Sequence, residues 1–187
     1  MKKLKTYMKN VEIEVRSFIS PTQYKNLERK LNKVAKFLKE IKEETAYCGK
    51  ENIRIRRDAD FSYLILKSGK IHDNFRDEIK IRFKRTDFEN LKEIFARLGF
   101  NISIMWFRKR KVYDWRGIKV FLDDTKGYGR IIELEEIGTE KNKEKIYNNL
   151  KTKLIALGIK KITPKKDFDK KFNYYKNNWR KILKLNT

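Results

Sequence analysis

Residues 11–19 read VEIEVRSFI, and this stretch decides how the rest of the chain is interpreted. It alternates strictly between aliphatic and charged residues: Val11, Ile13 and Val15 against Glu12, Glu14 and Arg16. Strict alternation with β-branched residues predicts a β-strand, because successive side chains point to opposite faces. The charged face of such a strand lies either in water or on the inner wall of a site, and the remaining sequence must decide between the two.

The composition predicts one folded domain over residues 1–187. Apolar residues make up 40% of the chain and aromatic residues 13%, which is too much for a disordered segment. No apolar run reaches the roughly 18 residues of a membrane span, so no membrane partner is expected. No apolar signal-peptide stretch follows the basic start MKKLKTYMKN. We therefore expect a cytoplasmic protein.

The chain is strongly basic, with 48 Lys and Arg residues against 25 Asp and Glu residues and a net charge of +23. A single lysine on a helix surface needs no partner. A field this positive nevertheless attracts polyanions and speeds their capture. The charge therefore predicts an anionic partner: a nucleotide, a polyphosphate or a nucleic acid.

Further alternating segments follow the first strand and a helical stretch at 20–41. In that stretch Leu27, Leu31 and Leu38 fall on one face, as in an amphipathic helix. Strands are predicted at 44–49, 51–58, 61–69, 76–85, 101–110, 111–116, 117–124 and 129–137. Helices are predicted at 86–98, 140–157 and 167–185, the last docking on the sheet.

The order of elements predicts an α+β fold built on an eight-stranded antiparallel β-barrel. Short connections imply antiparallel pairing, and closure of the sheet hides strand edges. The amphipathic helices need an apolar surface to cover. If they pack outside the barrel, the aliphatic faces of the strands point outward and the charged faces point inward.

The inward faces would then carry many charges. The basic members are Arg16, Arg54, Arg56, Lys67, Lys80, Arg82, Arg108 and Arg110; the acidic members are Glu12, Glu14, Glu78, Glu133, Glu135 and an aspartate of Leu122-Asp123-Asp124. Unpaired buried charges are costly, so the interior must be wet, mutually paired or filled by a ligand. Arginine forks suit phosphate oxygens, and neighbouring carboxylates suit Mg²⁺ or Mn²⁺. The pattern indicates a clamp for a chain of phosphates.

The same residues resemble the motifs of the CYTH superfamily, also called triphosphate tunnel metalloenzymes. An opening ExExK motif is similar to Glu12–Arg16, an RxR strand to Arg54–Arg56, and the lysine of the following strand to Lys67. Three further motifs resemble Glu78–Lys80, the bases Arg108–Arg110 leading to Tyr113, and an ending made of Leu122-Asp123, Gly127-Tyr128-Gly129 and Glu133–Glu135. Each motif alone is weak, but six in the same order are specific.

The resemblance implies a tunnel barrel that acts on triphosphates with Mg²⁺ or Mn²⁺. It implies metal ligands at Glu12, Glu14, Asp123, Glu133 and Glu135. It implies triphosphate binding by Arg16, Arg54, Arg56, Lys67, Lys80, Arg82, Arg108 and Arg110. Catalytic roles fall to Glu12, Glu14, Arg16 and Lys67. The chain departs from the pattern at Arg16 and Arg108, where the family has lysine, and arginine cannot serve as a base.

The expected function is metal-dependent hydrolysis of a nucleoside, organic or inorganic triphosphate. Three alternatives stay open: cyclisation of ATP to cyclic AMP and pyrophosphate, removal of phosphate from a 5′-triphosphorylated RNA end, and non-catalytic binding of nucleotide or RNA. Triphosphate hydrolysis, cyclisation and removal of phosphate from RNA share one phosphate clamp and differ in the nucleophile or in the group attached to the phosphates. A monomer and a homodimer are both compatible with the sequence.

Overall fold

The structure, a computed structural model, describes residues 11–49, 52–67, 69, 73–76 and 78–184. The strands are β1 Val11–Ile19, β2 Lys36–Cys48, β3 Ile53–Arg57, β4 Phe61–Lys67, β5 Phe75–Arg76, β6 Glu78–Lys84, β7 Ile102–Trp115, β8 Ile118–Thr125 and β9 Gly129–Gly138. The helices are α1 Pro21–Val34, α2 Phe88–Arg97, α3 Lys143–Ala156 and α4 Lys165–Leu183. The predicted α+β class is therefore confirmed.

All strands join one antiparallel sheet in the order β5-β1-β9-β8-β7-β2-β3-β4-β6. The two ends of this order, β5 and β6, are neighbours in the chain on either side of position 77, which lies outside the described residues. Because Arg76 pairs with Glu12 of β1 and Glu78 pairs with Lys67 of β4, the sheet curls back onto itself. This curled antiparallel sheet confirms the barrel-like architecture that the sequence predicts.

The aliphatic faces of β1, β8 and β9 point outward and pack under helices, whereas Ile79 and Ile81 of β6 stay exposed. Val11, Ile13 and Val15 of β1 are buried in a cluster with helix residues of α1 and α3. The helix residues of this cluster are Leu27, Leu31, Ile146, Leu150, Leu154. Burial of these apolar surfaces is the main driving force that holds the helices on the sheet. The charged faces are consequently left for the interior.

A second core joins α4 to the opposite part of the sheet. The buried face of α4 consists of Phe168, Phe172, Tyr175, Trp179 and Leu183, at helical spacing. The hydroxyl group of Tyr175 donates a hydrogen bond to the carbonyl oxygen of Met105 at 3.1 Å. Residue 185, the last of the predicted helix, lies outside the described residues. Neither α4 nor any other helix of the described chain combines the length and the apolar character needed to cross a lipid bilayer.

The predicted helix over 20–41 is wrong in its second half. Ser20 caps α1 as part of a capping box with Gln23, but the helix ends at Val34 and Ala35 is extended. Lys36–Cys48 forms the long strand β2, which pairs along its length with β7. The helical spacing of Leu38 is therefore overridden by strand pairing, and its side chain is half-exposed rather than buried under a helix.

Smaller differences concern strand and helix boundaries. The predicted strands 101–110 and 111–116 form the single strand β7. Helix α2 begins after a 3₁₀ turn at Arg85–Asp87. Asp87 therefore takes the N-cap position, one residue after the predicted start of the helix at Thr86. Gly99 follows the end of the helix with a φ angle of +85°. Residues 51, 68 and 77 of the predicted strands lie outside the described part of the chain.

Candidate active site

The curled sheet encloses a cavity of about 460 Å³ whose wall carries nine basic and eight acidic side chains. Carboxylates come mainly from β1, β8 and β9, and cations mainly from β3, β4, β6 and β7. Of the predicted site residues, the cavity brings together Glu12, Glu14, Arg16, Arg54, Arg56, Lys67, Lys80, Arg108, Arg110, Asp123, Glu133 and Glu135. An acidic wall therefore faces a basic wall across one space.

Arg82 is the predicted site residue that this cavity does not include. Its side chain is exposed, and its guanidinium lies 4.5 Å from the centre of the Phe61 ring. A cation over an aromatic face gains electrostatic attraction without leaving water. The guanidinium of Arg82 therefore packs on the ring of Phe61 at the start of β4, although Arg82 lies on the same strand face as Lys80, and its binding of phosphate stays a prediction.

The acidic wall forms because β1 and β9 are direct neighbours. Their register places Glu14 opposite Glu135 and Arg16 opposite Glu133. Like charges directly opposite each other destabilise a sheet unless something compensates them. Glu14 is buried, and this burial raises the pKa of its carboxyl group, although Arg16 acts in the opposite direction. The first strand therefore brings its two glutamates to an anionic site, as its alternation suggested.

Glu135 is a second carboxyl group of this wall whose pKa is raised. Burial raises the pKa of Glu135 to about 8, and the neighbouring charges of Glu12 and Glu133 add to the effect. Glu135 also makes a side-chain hydrogen bond with Glu12. Two carboxyl groups this close together form a place where a cation could bind between them.

Glu133 behaves in the opposite way because arginines surround it. Burial alone would raise the pKa of Glu133, but Arg110 and Arg16 outweigh it and hold that pKa at about 2. Arg110 donates from Nη2 to Glu133 Oε1 at 3.1 Å. Arg16 lies 2.7 Å from Glu14 and 3.9 Å from Glu133. Arg16 thus joins the two strands of the acidic wall and stays cationic.

Asp123 of β8 connects the acidic wall to the basic wall. Arg110 donates two hydrogen bonds of 2.7 Å to its carboxylate, and Arg108 donates a third of 3.0 Å. The guanidinium of Arg110 also lies 4.1 Å from the centre of the Phe121 ring. Bidentate pairs of this kind fix the direction of both groups. The two arginines of β7 are therefore held in place before any ligand binds.

Glu43 is a site residue that the sequence analysis missed. It is buried on β2, directly opposite Arg108, and accepts hydrogen bonds from Arg108 (Nε at 2.8 Å) and from Arg56 at 3.4 Å. Burial alone would raise the pKa of Glu43, but these arginines hold it below its usual range. The alternation of Ile41, Glu43, Thr45 and Tyr47 is typical of a strand with Glu43 on the inner face. This pattern was not recognised because residues 20–41 were predicted to form a helix. Lys119 of β8 also lines the cavity unpredicted.

Lys67 lies where the two ends of the sheet meet. Its ammonium group is 2.6 Å from Glu12 Oε2 on β1 and 3.0 Å from Glu78 Oε2 on β6. Lys67 itself is on β4 and is buried. The residue therefore bridges strands from both ends of the sheet order, in addition to lining the cavity.

The remaining cations carry buried donors without partners. Arg54 lies 4.8 Å above the Tyr47 ring, and the Nε atoms of Arg54 and Arg56 have no hydrogen-bond partner although they are buried. Burial lowers the pKa of Lys80, and the nearby charge of Arg56 lowers it further. Unsatisfied buried donors are expensive, so this wall favours an anionic ligand that would accept from them.

The donor set fits a hard divalent cation in its chemistry. Glu14 and Glu135 are cross-strand neighbours, and Glu12 is hydrogen-bonded to Glu135. Carboxylate oxygens are the ligands that Mg²⁺ and Mn²⁺ prefer. Among the described residues no three acidic, histidine or cysteine side chains already stand in a metal-holding arrangement. In this structure the carboxylates are instead held by one another and by arginines.

The chain belongs to the CYTH family, because the CYTH domain matches residues 10–163, well over half of its length. All the cavity-lining residues of β1 to β9 fall within this match, whereas α4 lies beyond it. Members of this family act on triphosphates or are adenylyl cyclase-like, and they depend in general on divalent metal ions. The particular substrate and activity of this chain are not established by the match.

Three individual relatives are similar to the chain. A protein of Methanocaldococcus jannaschii, named as a proposed adenylate cyclase, is 32% identical over 113 residues, which are 59% of this chain and 64% of that protein. A solved structure of a conserved hypothetical protein from Pyrococcus furiosus has a TM-score of 0.66 at 24% identity, covering 79% of this chain and 90% of its own. A proposed adenylyl cyclase from Hippeastrum, described as having a dominant triphosphatase activity, has a TM-score of 0.60 at 20% identity and covers 80% and 88%.

Proposed function

We propose that this protein hydrolyses a triphosphate-containing compound with the help of Mg²⁺ or Mn²⁺. The observation that supports this function is one cavity in which a carboxylate wall faces a wall of arginines and lysines. Phosphoryl transfer requires positioning and neutralisation of the phosphate charges more than covalent chemistry by the protein. The dominant triphosphatase activity described for the Hippeastrum protein points in the same direction.

The metal would be held on the acidic wall. The proposed ligands are Glu12, Glu14, Asp123, Glu133 and Glu135, all of which line the cavity. A divalent ion bound there would act as a Lewis acid and orient the reacting groups. Without it, the acidic wall depends on the hydrogen bond between Glu12 and Glu135 and on the charges of Arg16 and Arg110.

The basic side chains would bind the triphosphate along the opposite wall. Arg54, Arg56, Lys80, Arg108 and Arg110 offer donors in fixed directions, and two of these donors are buried without a partner. Arg82 is omitted from this set because it lies outside the cavity.

Arg16 and Lys67 stand at the junction of the two walls, each in contact with glutamate. Arg16 keeps its proton and would therefore bind a phosphoryl oxygen or the leaving group. Lys67 would hold the phosphate next to Glu12. Glu12 and Glu14 are the groups in reach of this position that could accept a proton from the nucleophile. These four residues form the proposed catalytic set.

A product analysis tests the proposal directly. The protein is incubated with tripolyphosphate, ATP, thiamine triphosphate and 5′-triphosphorylated RNA, each with Mg²⁺, with Mn²⁺ and with EDTA. Phosphate, pyrophosphate and cyclic nucleotide are measured together in every reaction. Metal-dependent release of phosphate from at least one compound is expected, and its absence from all of them would exclude a hydrolase.

A double substitution distinguishes an enzyme from a simple anion-binding module. Glu12→Gln with Glu135→Gln should abolish turnover while leaving triphosphate binding measurable, because the basic wall is untouched. The matched control is Glu93→Gln with Glu140→Gln, which removes two exposed carboxylates and should leave turnover unchanged. If the variant with Glu12→Gln and Glu135→Gln retains turnover, the carboxylate wall has no role in catalysis.

Adenylyl cyclase activity is the second candidate. It is favoured by the M. jannaschii relative, which carries the name of a proposed adenylate cyclase. Both reactions use the same phosphate clamp and differ in whether water or the ribose 3′-hydroxyl group attacks. Cyclic AMP formed together with pyrophosphate would favour cyclisation over hydrolysis.

A further inference from the structure

The positive charge of this protein lies largely outside the cavity. The cavity wall carries nine basic side chains against eight acidic ones, so it is close to neutral, whereas the whole chain carries +23. A phosphate clamp inside the sheet therefore cannot account for the charge of the molecule. An anionic partner that responds to this charge would therefore bind to the outer surface.

One part of the outer sheet face forms a second cavity of about 530 Å³. Helix α1 packs against β2, β7 and β9, and α2 packs against β3 and β4. The second cavity is lined by outward residues of β2 and β7, among them Lys42, Lys109 and Phe107. Lys126, whose backbone N–H donates to the carbonyl oxygen of Phe107 at 2.9 Å, lies at the same place.

The three lysines, Lys42, Lys109 and Lys126, form what we term the outer lysine patch. Lys42 and Lys109 are directly opposite each other on β2 and β7, an arrangement in which like charges destabilise a sheet. All three are exposed, and none has an ion-pair partner among the described residues. The repulsion between Lys42 and Lys109 lowers the stability of the folded protein. An anionic ligand bound to both lysines would compensate for it.

The acidic side chains beside the outer lysine patch already have partners. Glu44 pairs with Arg57 at 2.6 Å, and Asp124 pairs with Arg130 at 2.9 Å. Asp124 is also the residue directly opposite Lys109 on β8, so it compensates part of the charge of that lysine. The lining of the second cavity nevertheless carries six basic side chains against four acidic ones. The patch keeps its positive charge, within a concave surface that also contains an aromatic side chain, Phe107.

We propose that the outer lysine patch binds the phosphodiester backbone of a single-stranded nucleic acid. Three ammonium groups in a concave surface match a narrow chain of phosphates, and Phe107 provides a ring on which a base could stack. The second cavity shares Glu43, Asp58 and Arg108 with the inner cavity. A strand bound to the patch therefore lies next to the inner cavity. This inference does not depend on the proposed hydrolysis.

Binding of oligonucleotides with a 5′-hydroxyl end tests the proposal, because such ends carry no triphosphate for the inner cavity. Labelled single-stranded RNA and DNA of the same sequence are titrated by fluorescence anisotropy over a range of salt concentrations. The triple variant Lys42→Gln, Lys109→Gln, Lys126→Gln should bind more weakly. Its slope of log Kd against log salt should fall by about 2, since each single-strand phosphate contact contributes roughly 0.7. The RNA and DNA arms show which of the two strands is preferred.

A control of equal charge separates the patch from net charge. Lys25→Gln, Lys145→Gln, Lys160→Gln also removes three exposed lysines, and it should retain the affinity and salt slope of the unchanged protein. Equal losses in both triple variants would overturn the proposal, and so would failure of the unchanged protein to bind, or preferential binding to vesicles of anionic lipid. Tripolyphosphate turnover is measured in parallel and should be unaffected by the patch variant, so a failure of the proposed hydrolysis would be recognised separately.

Discussion

At the scale of single residues, Glu43 shows how one buried carboxylate can organise several arginines. It accepts hydrogen bonds from Arg108 and Arg56, which come from strands on either side of β2. Neither arginine could hold this direction alone, because each is long and has several rotamers. Glu43 therefore determines where the basic wall presents its guanidinium groups.

Replacement of this carboxylate should be costly. Glu43→Gln is expected to lower the free energy of unfolding by about 3 kcal/mol, the lower end for a broken buried ion pair, because Arg108 keeps its second partner Asp123. Urea unfolding at neutral pH measures the change. The control Glu93→Gln removes an exposed partner of Arg97 and should cost less than about 1 kcal/mol. Equal effects of the two changes would contradict the organising role of Glu43.

The same residue predicts a dependence of stability on pH. The pKa of Glu43 is lower in the folded protein than in the unfolded chain, where a glutamate has a pKa of about 4.3. Its stabilising contribution is therefore complete above that value and is lost as the pH falls through the lowered pKa. The difference in unfolding free energy between the unchanged protein and Glu43→Gln should shrink as the pH falls from about 5 to about 2. A constant difference over this range would show that Glu43 does not titrate as described.

At the scale of elements, the junction of the β8–β9 turn with α4 gives a sharp test of packing. Gly127 and Gly117 both have positive φ angles, +72° and +85°. A Cβ atom at Gly127 would overlap Cγ2 of Ile182 on α4, whereas a Cβ atom at Gly117 would meet nothing within 4 Å. The two glycines share a left-handed backbone conformation, which would be strained with any side chain, and differ in the contact with the helix.

Alanine at each position should separate these effects. Gly117→Ala is expected to cost about 1–2 kcal/mol, the price of a left-handed conformation with a side chain. Gly127→Ala should lower the free energy of unfolding by roughly 1–3 kcal/mol more than Gly117→Ala, because its methyl group would overlap Ile182 of α4. Urea unfolding gives both values, and limited proteolysis reports whether α4 is released. Similar losses of unfolding free energy in the two variants would mean that α4 shifts to accommodate the added methyl group at no cost in stability.

The elements also show what could be predicted from the sequence. The inverted alternation of the strands could be predicted, because helices that need an apolar surface leave only the charged faces for the interior. The start of β2 could not, because KFLKEIKEE has good helix formers at helical spacing and is extended only through its pairing with β7. Glu43 was not predicted as a site residue because the strand that carries it was not predicted in full. The contact of Arg82 with the ring of Phe61 on β4 could not be predicted either, because it depends on the pairing of β4 with β6.

At the scale of the whole molecule, the charges divide into a nearly neutral interior and a strongly basic exterior. Exposed like charges repel one another over distances comparable to the Debye length of about 10 Å at 0.1 M salt. The ion pairs of the cavity are buried and are screened far less.

Salt should therefore stabilise this protein. The free energy of unfolding is expected to rise between low and moderate NaCl concentrations, because screening relieves the repulsion of the basic surface. Urea unfolding at a series of NaCl concentrations measures the trend, and a non-ionic osmolyte at matched osmolality controls for solvent effects. A fall in stability with salt would mean that attractive ion pairs dominate over the whole surface.

The pairing of β1 with β9 has a consequence for the order in which the protein matures. Apart from a two-residue pairing with β5, the first described strand finds its partner only at Gly129–Gly138, the last strand of the sheet along the chain. Such distant contacts form late because a long loop must be closed first. A nascent chain that stops before β9 leaves Glu14 and Arg16 without their opposite residues, Glu135 and Glu133. The acidic wall thus comes into existence only when the chain extends through β9, and products of synthesis that stop earlier lack it.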